Sequence, residues 1–234
     1  LKLRFTFITV LLLVLLPGSA SAYFFPTEKG VEWRYASTSQ PPETSFVIGP
    51  VIYNSTGVDY QGTLVGYRGA GPDNELEQIW IVLEDGSVLL GGWLRSHESL
   101  GVFYDPPLRM VIPGATLGAT WEEQVIATQY PLGPSQAVLA HHEVVELGQR
   151  TLPVGTVDVI GITTTTTMAV ESPLRWKGSP TGRAQAVEGT IPPEVWTAGL
   201  GLVEFGTGTY QLVNTNIDTP VRPTSWGAIK RLYH

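Results

Sequence analysis

The stretch Leu76–Leu94 reads LEQIWIVLEDGSVLLGGWL. Two short runs rich in Ile, Val, Leu and Trp lie on either side of Glu84-Asp85-Gly86. Runs of this length and composition favour extended backbone. An Asp-Gly between them marks a hairpin, because glycine tolerates the positive φ that a tight reversal needs. The same unit recurs in both directions. Upstream, Thr44–Asn54 and Val58–Tyr67 are further runs, and Gly69–Asn74 separates the second of them from Leu76–Leu83. Downstream come Leu108–Ile112, ending at Pro113-Gly114, and Thr120–Gln129, ending at Tyr130–Pro134. Ala137–Leu147 follows, closed by Gly148-Gln149.

Val157–Val170 then reads as one long strand. Its start is apolar on both faces, so it should be central there and solvent-facing by the Thr163–Thr167 run. Ser172–Gly189 carries Pro173, Gly178, Pro180 and Gly182 with Arg175, Lys177 and Arg183, and reads as an extended loop. Glu194–Gly199, Leu202–Gly206 and Thr209–Thr215 give closing strands, and Trp226–Tyr233 a last edge strand. No repeat of fixed period is present. The expected fold is all-β: one domain over residues 23–234, as a single antiparallel, strongly curved sheet or barrel-like sandwich of about ten to thirteen strands.

Residues 1–22 read as a cleavable signal peptide. Lys2 and Arg4 form a basic start, Phe5–Leu16 an apolar core, and Ala20-Ser21-Ala22 a small-residue cleavage site. A core of about 12 residues is short of the roughly 20 that a membrane-spanning helix needs. The product is therefore expected to be exported, soluble, periplasmic or extracellular, and without a transmembrane span. The sequence holds no cysteine. Disulfides, zinc–thiolate sites, a cysteine nucleophile and a lipidated cysteine at the cleavage site are thereby excluded. Removing Lys2 and Arg4 leaves 12 basic against 21 acidic residues, a net charge of −9. Such a balance disfavours nucleic acid and anionic membrane surfaces as partners.

Chemistry-bearing residues are scattered. His141 and His142 are adjacent on a strand and point to opposite faces, so they cannot chelate one ion; His97 and His234 stand apart. No metal site or cofactor is expected. Carboxylates occur as Glu75/Glu77, Glu84-Asp85, Glu122-Glu123 and Glu143/Glu146. A glycosidase needs two of them across a sugar cleft, and chance pairs are common in an acidic β protein. No G-x-S-x-G elbow or S-x-x-K motif is present, and Gly69-Ala70-Gly71 lacks the third glycine and helix of a dinucleotide site. The seven tryptophans are the stronger feature. Trp33, Trp80, Trp93, Trp121, Trp196 and Trp226 lie in or beside strands, where they either fill a thick core or line a cavity for a hydrophobe.

Four signatures in order resemble a family of exported bacterial β proteins of unknown function, lipoprotein-like or TapB-like. They are Tyr23-Phe24-Phe25-Pro26 with Gly30, Trp33 and Tyr35; Pro107-Leu108 with Gly118-Ala119-Thr120-Trp121; Leu152-Pro153-Val154-Gly155-Thr156-Val157; and Trp196-Thr197-Ala198-Gly199-Leu200-Gly201-Leu202-Val203. The chain departs from the pattern in lacking the lipidation cysteine, in Phe25 before Pro26, and in Val154 and Val157 where Ala and Phe are usual. The resemblance implies a curved antiparallel sheet similar to a periplasmic half-barrel, and no catalytic residues.

The leading expectation is a non-enzymatic binding or envelope-associated protein. Its concave face would hold a lipid or other hydrophobe, or a segment of an envelope protein. The alternatives are a glycan-acting hydrolase using Glu75, Glu77 or Glu123, and a structural or adhesive subunit with an unpaired edge at Trp226–Tyr233. N-terminal sequencing of the exported product should begin at Tyr23; a product retaining Leu1 would refute cleavage.

Overall fold

The computed structural model describes residues 26–37, 39, 42–68, 75–95, 98–131, 133–170, 185–206 and 210–217. Twelve strands follow one another along the chain. They are β1 (Glu32–Ser37), β2 (Glu43–Ser55), β3 (Val58–Arg68), β4 (Glu75–Val82), β5 (Val88–Arg95) and β6 (Leu100–Val111). Then come β7 (Thr120–Tyr130), β8 (Ser135–Leu152), β9 (Gly155–Val170), β10 (Gln185–Thr197), β11 (Gly201–Phe205) and β12 (Tyr210–Thr215). Each pairs antiparallel with its chain neighbours, and β1 also pairs with β12, closing an up-and-down barrel. The sheet is thus all-β and antiparallel as expected, and it closes where the resemblance implies a half-barrel. The Asp85-Gly86 hairpin joins β4 to β5, with Gly86 at φ 84° and the Ser87 amide donating to Asp85 Oδ1 at 2.8 Å.

Three boundaries differ from the sequence reading. β6 begins at Leu100 and passes through Pro106-Pro107, which lie where the β5–β6 ladder breaks between Leu90↔Leu108 and Gly92↔Phe103. A proline there forfeits no ladder bond to β5. β10 begins at Gln185, inside the expected loop, and Pro192-Pro193 again fall in a register break, between Ile191 and Glu194. β8 runs past Gly148-Gln149, which pair with Val159 and Asp158, and turns only at Pro153-Val154. Trp226–Tyr233 and the signal segment 1–22 lie outside the described residues.

Alternation sets the two faces of the wall. On β7 and β8, Val125, Val138, Ala140, His142 and Val144 are buried, while Glu122, Gln124, Thr128 and Glu143 are exposed. The outer face is mixed, for Ile126, Leu139 and Val145 are exposed on the same two strands. The start of β9 is buried as read, at Val157, Val159, Ile160 and Ile162. The Thr163–Thr167 run does not face solvent: Thr164 is buried against His142 and the others are half-buried, because β8 and β10 flank the strand along this length. The interior core draws side chains from β1 through β12, with Trp33, Trp80 and Trp196 among the largest.

Closure rests on a clasp at the β1–β12 seam. Asn216 Oδ1 accepts from the Glu32 amide at 2.7 Å, its Nδ2 donates to the Gly30 carbonyl at 2.8 Å, and its amide donates to the Glu32 carbonyl at 3.3 Å. From β1, the Trp33 indole donates to the Leu200 carbonyl at 2.6 Å and the Tyr35 hydroxyl to the Leu202 carbonyl at 2.9 Å, both buried. These bonds reach past β12, whose ladder to β11 holds only Glu204↔Gln211 and Phe205↔Tyr210.

A second, smaller core lies on the other face of β4 and β5, around Tyr53, Ile81 and Leu89 with Tyr60, Ile79, Leu83 and Phe103. Trp80 and Leu90 belong to the main core and their neighbours Ile81 and Leu89 to this one, so β4 and β5 are covered on both faces. The cover is the tip of the β2–β3 hairpin. The Tyr53 hydroxyl donates to the Tyr104 carbonyl at 2.6 Å, and Ser55 Oγ donates to Asp105 Oδ1 at 2.6 Å. Gly91 leaves room for the Tyr53 ring, which a Cβ there would meet at 3.3 Å.

Asn216→Ala should destabilise the fold by about 1–2 kcal/mol, from two side-chain hydrogen bonds lost at the seam. Tyr53→Phe should cost about 1 kcal/mol. Urea unfolding of the purified variants measures both.

Candidate functional site

At one end of the barrel β1, β3, β5, β7, β9 and β11 finish and β2, β4, β6, β8, β10 and β12 begin. A group of aromatic and acidic side chains climbs the interior towards this end, from a tryptophan pair near the far ends of β4 and β10. Trp80 on β4 and Trp196 on β10 meet edge to face across the interior, ring centroids 5.2 Å apart. Such pairs add about 0.5–1.5 kcal/mol beyond their area. Nearer the end, two residues from Trp33 and Trp196 along their strands, come Tyr35 and Glu194. Tyr67 near the end of β3 and Glu43 at the start of β2 complete the group. Phe205 stacks on Tyr210 at 4.8 Å and meets Tyr35 edge to face at 5.0 Å, forming the rim.

The electrostatics of the group follow from burial. Glu194 keeps some exposure as a residue, but its Oε2 atom is wholly buried and has no hydrogen-bond partner among the described residues. Loss of solvation pushes its carboxyl up to about 7 from an ordinary 4.5, offset in part by the Trp196 indole N–H. Burial likewise raises Glu43. Tyr35 and Tyr67 are held far above the ordinary tyrosine range, first by burial; Ser45 and Trp80, respectively, hydrogen-bond them, and Glu43 and Glu194 repel their ionised forms. The arrangement is a ring of neutral hydroxyls and indoles around a carboxyl poised between its two forms.

A second polar group lies inside the wall of β7, β8 and β9. His142 is fully buried, stacks on Trp121 at 5.0 Å, and places Nδ1 2.9 Å from Thr164 Oγ1. Its Nε2 is 3.3 Å from Glu123 Oε1, an ion-pair distance whose angle is poor for a hydrogen bond. Glu123 Oε1 also accepts from the Arg109 amide, and the Trp121 indole donates to the Arg109 carbonyl at 3.0 Å. Hydroxyl, imidazole and carboxylate stand in a row, but Thr164 is as buried as His142, so the row ties strands together and offers no surface to a substrate. His141 faces outward beside Glu122 at 3.1 Å, on the opposite face as its spacing requires.

The sequence-named aromatics are dispersed. Trp33, Trp80 and Trp196 are in the interior core, Trp121 packs against it half-buried, and Trp93 is half-buried near the rim, hydrogen-bonded to the Tyr104 hydroxyl. Trp226, His97 and His234 lie outside the described residues. Of the carboxylates named for glycan hydrolysis, Glu123 is engaged by His142 and Arg109, Glu77 is half-buried on β4, and the side chain of Glu75 lies outside the described residues. Glu43 and Glu194 were not singled out by the sequence. A signal was present: on a strand Glu194 must share a face with Trp196, and a core-facing Trp196 carries the acid inward. An open polar groove at the opposite end, lined by Glu32, Arg34, Asn214, Thr215 and Asn216, is the outer side of the closure clasp.

No protein-family model matches the chain, and no curated protein matches it. Two solved structures are similar in outline. One is described as "a putative lipoprotein" from Parabacteroides distasonis, 15% identical, covering 83% of this chain and 98% of its own, with a TM-score of 0.45. The other is described as "a putative exported protein with YmcC-like fold" from Bacteroides fragilis, 11% identical, covering 83% and 99%, also at 0.45. At such identity and score, nothing about function follows.

Because the folded carboxyl of Glu194 holds a proton that the unfolded chain releases near 4.5, stability present below that pH is lost as pH rises towards 7. The loss is at most about 1.4 kcal/mol per pH unit. Glu194→Gln should flatten this limb in urea titrations between pH 5 and 8, relative to the parent protein; an unchanged slope would place the carboxyl in solvent.

Proposed function

We propose that this chain is an exported, non-catalytic binding protein of the bacterial envelope that takes an amphiphile or other hydrophobe at the aromatic end of its barrel. The signal-like residues 1–22 support export. One observation carries the binding reading: rim aromatics Tyr35, Phe205 and Tyr210 stand above a Trp80–Trp196 floor, with the buried, unpartnered Glu194 Oε2 between them. Binding sites are commonly apolar enclosures with a few convergent polar groups. The reading keeps the resemblance to TapB-like exported proteins and places their signatures in the scaffold. Gly30, Gly118 and Gly199 sit in turns at the opposite end, where Gly155 and Gly201 open β9 and β11, and all five have positive φ.

Native mass spectrometry of the exported protein should show a co-purifying amphiphile. Tyr210→Ala, at the rim, should lower its occupancy severalfold with little change in thermal stability. Protein free of any adduct that also fails to take up added short-chain amphiphiles would refute the reading.

A further inference from the structure

We infer that the group recognised at this end is a cation: the ligand carries an ammonium head, primary or quaternary, that seats against Glu194 within the ring of Tyr35, Tyr67, Trp80 and Trp196. The inference rests on the binding reading above and names its ligand class. Three observations carry it.

The first is the orphaned atom. Glu194 Oε2 is fully buried and makes no well-formed hydrogen bond among the described residues; the Trp196 indole N–H beside it offsets its burial only in part, so a further donor or a cation would lower the cost. The second is the company it keeps. The titratable groups that face Glu194 are Tyr35 from β1 and Tyr67 from β3, and Glu43 from β2 faces both tyrosines. No lysine or arginine among the described residues acts on Glu194 or Glu43. Of the described arginines, Arg150 pairs with Glu146 and Glu204, Arg34 with Glu32 and Arg95 with Glu98, Arg68 lies over the Phe46 ring, and Arg109 is exposed on β6. Two acids shielded from solvent, with no cation among the causes acting on either, make a pairing that a ligand's cation completes. The third is the lining. Indole and phenol faces attract ammonium groups through the ring quadrupole, most strongly when desolvated, and aromatic cages for quaternary ammonium use this set of side chains.

A carboxyl poised near neutrality adds a consequence. Seating the cation requires the ionised form, so binding releases a proton and strengthens with pH up to about 7, then levels off. A neutral or anionic ligand would show no such rise.

Calorimetric titration of the full-length exported protein tests this, with decyltrimethylammonium, decanol and decanoate, each below its micellar concentration, and with tetramethylammonium. At pH 8 decyltrimethylammonium should bind about tenfold or more tightly than decanol and decanoate, and the margin should shrink below pH 6. Glu194→Gln should abolish the margin. Should that variant fail to fold, the pH profile of the parent protein carries the same test. Equal binding of the three decyl compounds would overturn the cation and leave the hydrophobe reading standing. A margin that survives Glu194→Gln would overturn the assignment to that residue. Tetramethylammonium binding as tightly as its decyl relative would replace the amphiphile with a small free cation. Failure of every probe would sink the underlying reading.

Discussion

Everything in this molecule depends on β1 meeting β12. An open sheet of twelve strands exposes two rows of unpaired amides and carbonyls, whereas closure removes both edges at once. The joint beside the seam is the sparsest in the wall, because β11 and β12 share only two ladder pairs among the described residues. The chain compensates with side chains. Asn216 imitates a further strand residue against Gly30 and Glu32, while Trp33 and Tyr35 send hydrogen bonds past β12 to carbonyls of Leu200 and Leu202. The same two aromatics that lock the seam also line the interior, so closure and site are built from one strand.

Closure creates a problem of volume. A twelve-stranded barrel is wide, and its interior must be filled by large residues or left for something else. At one end the filling is nearly complete: Trp33, Trp80 and Trp196 are the largest buried side chains, with the Trp33 indole donating to the Leu200 carbonyl and the Trp80 indole to Gln78 Oε1. Towards the other end the filling turns polar, and an acid is left with a bare oxygen. Cores tolerate buried polar atoms when they are bonded, and an unbonded one marks a place where stability was not the deciding requirement. The wall opposite shows the contrast. His142 is as deeply buried as any tryptophan, yet Thr164, Glu123 and the Trp121 ring account for its surroundings, and it reads as a brace.

The second core around Tyr53, Ile81 and Leu89 shows how the wall thickens. β4 and β5 begin as a hairpin with apolar residues on both faces, and neither face can be left in water. The β2–β3 hairpin folds over the outer face, bent by the register shift between Val47 and Gly49 and held by Tyr53 and Ser55. A glycine at position 91 is what lets the tyrosine ring lie flat on the strand beneath.

The sequence by itself determined the class of fold. Short β-branched runs, the Asp85-Gly86 turn and the alternation along β7 and β8 are local facts, and local sterics and solvation act on them without knowledge of the rest of the chain. It misplaced the ends of β6, β8 and β10, because a proline or glycine reads as a break until its strand partners are known; Pro106, Pro107, Pro192 and Pro193 are harmless only where a neighbouring ladder is already interrupted. The site was legible only in part. The tryptophans stood out by their number, but Glu43, Glu194, Tyr35 and Tyr67 lie on β2, β10, β1 and β3, far apart in the sequence, and resemble ordinary strand residues one at a time. Only the closed barrel sets β10 across from β1 and β3, removes water from Glu194, and turns a common glutamate into the unsatisfied centre of an aromatic ring.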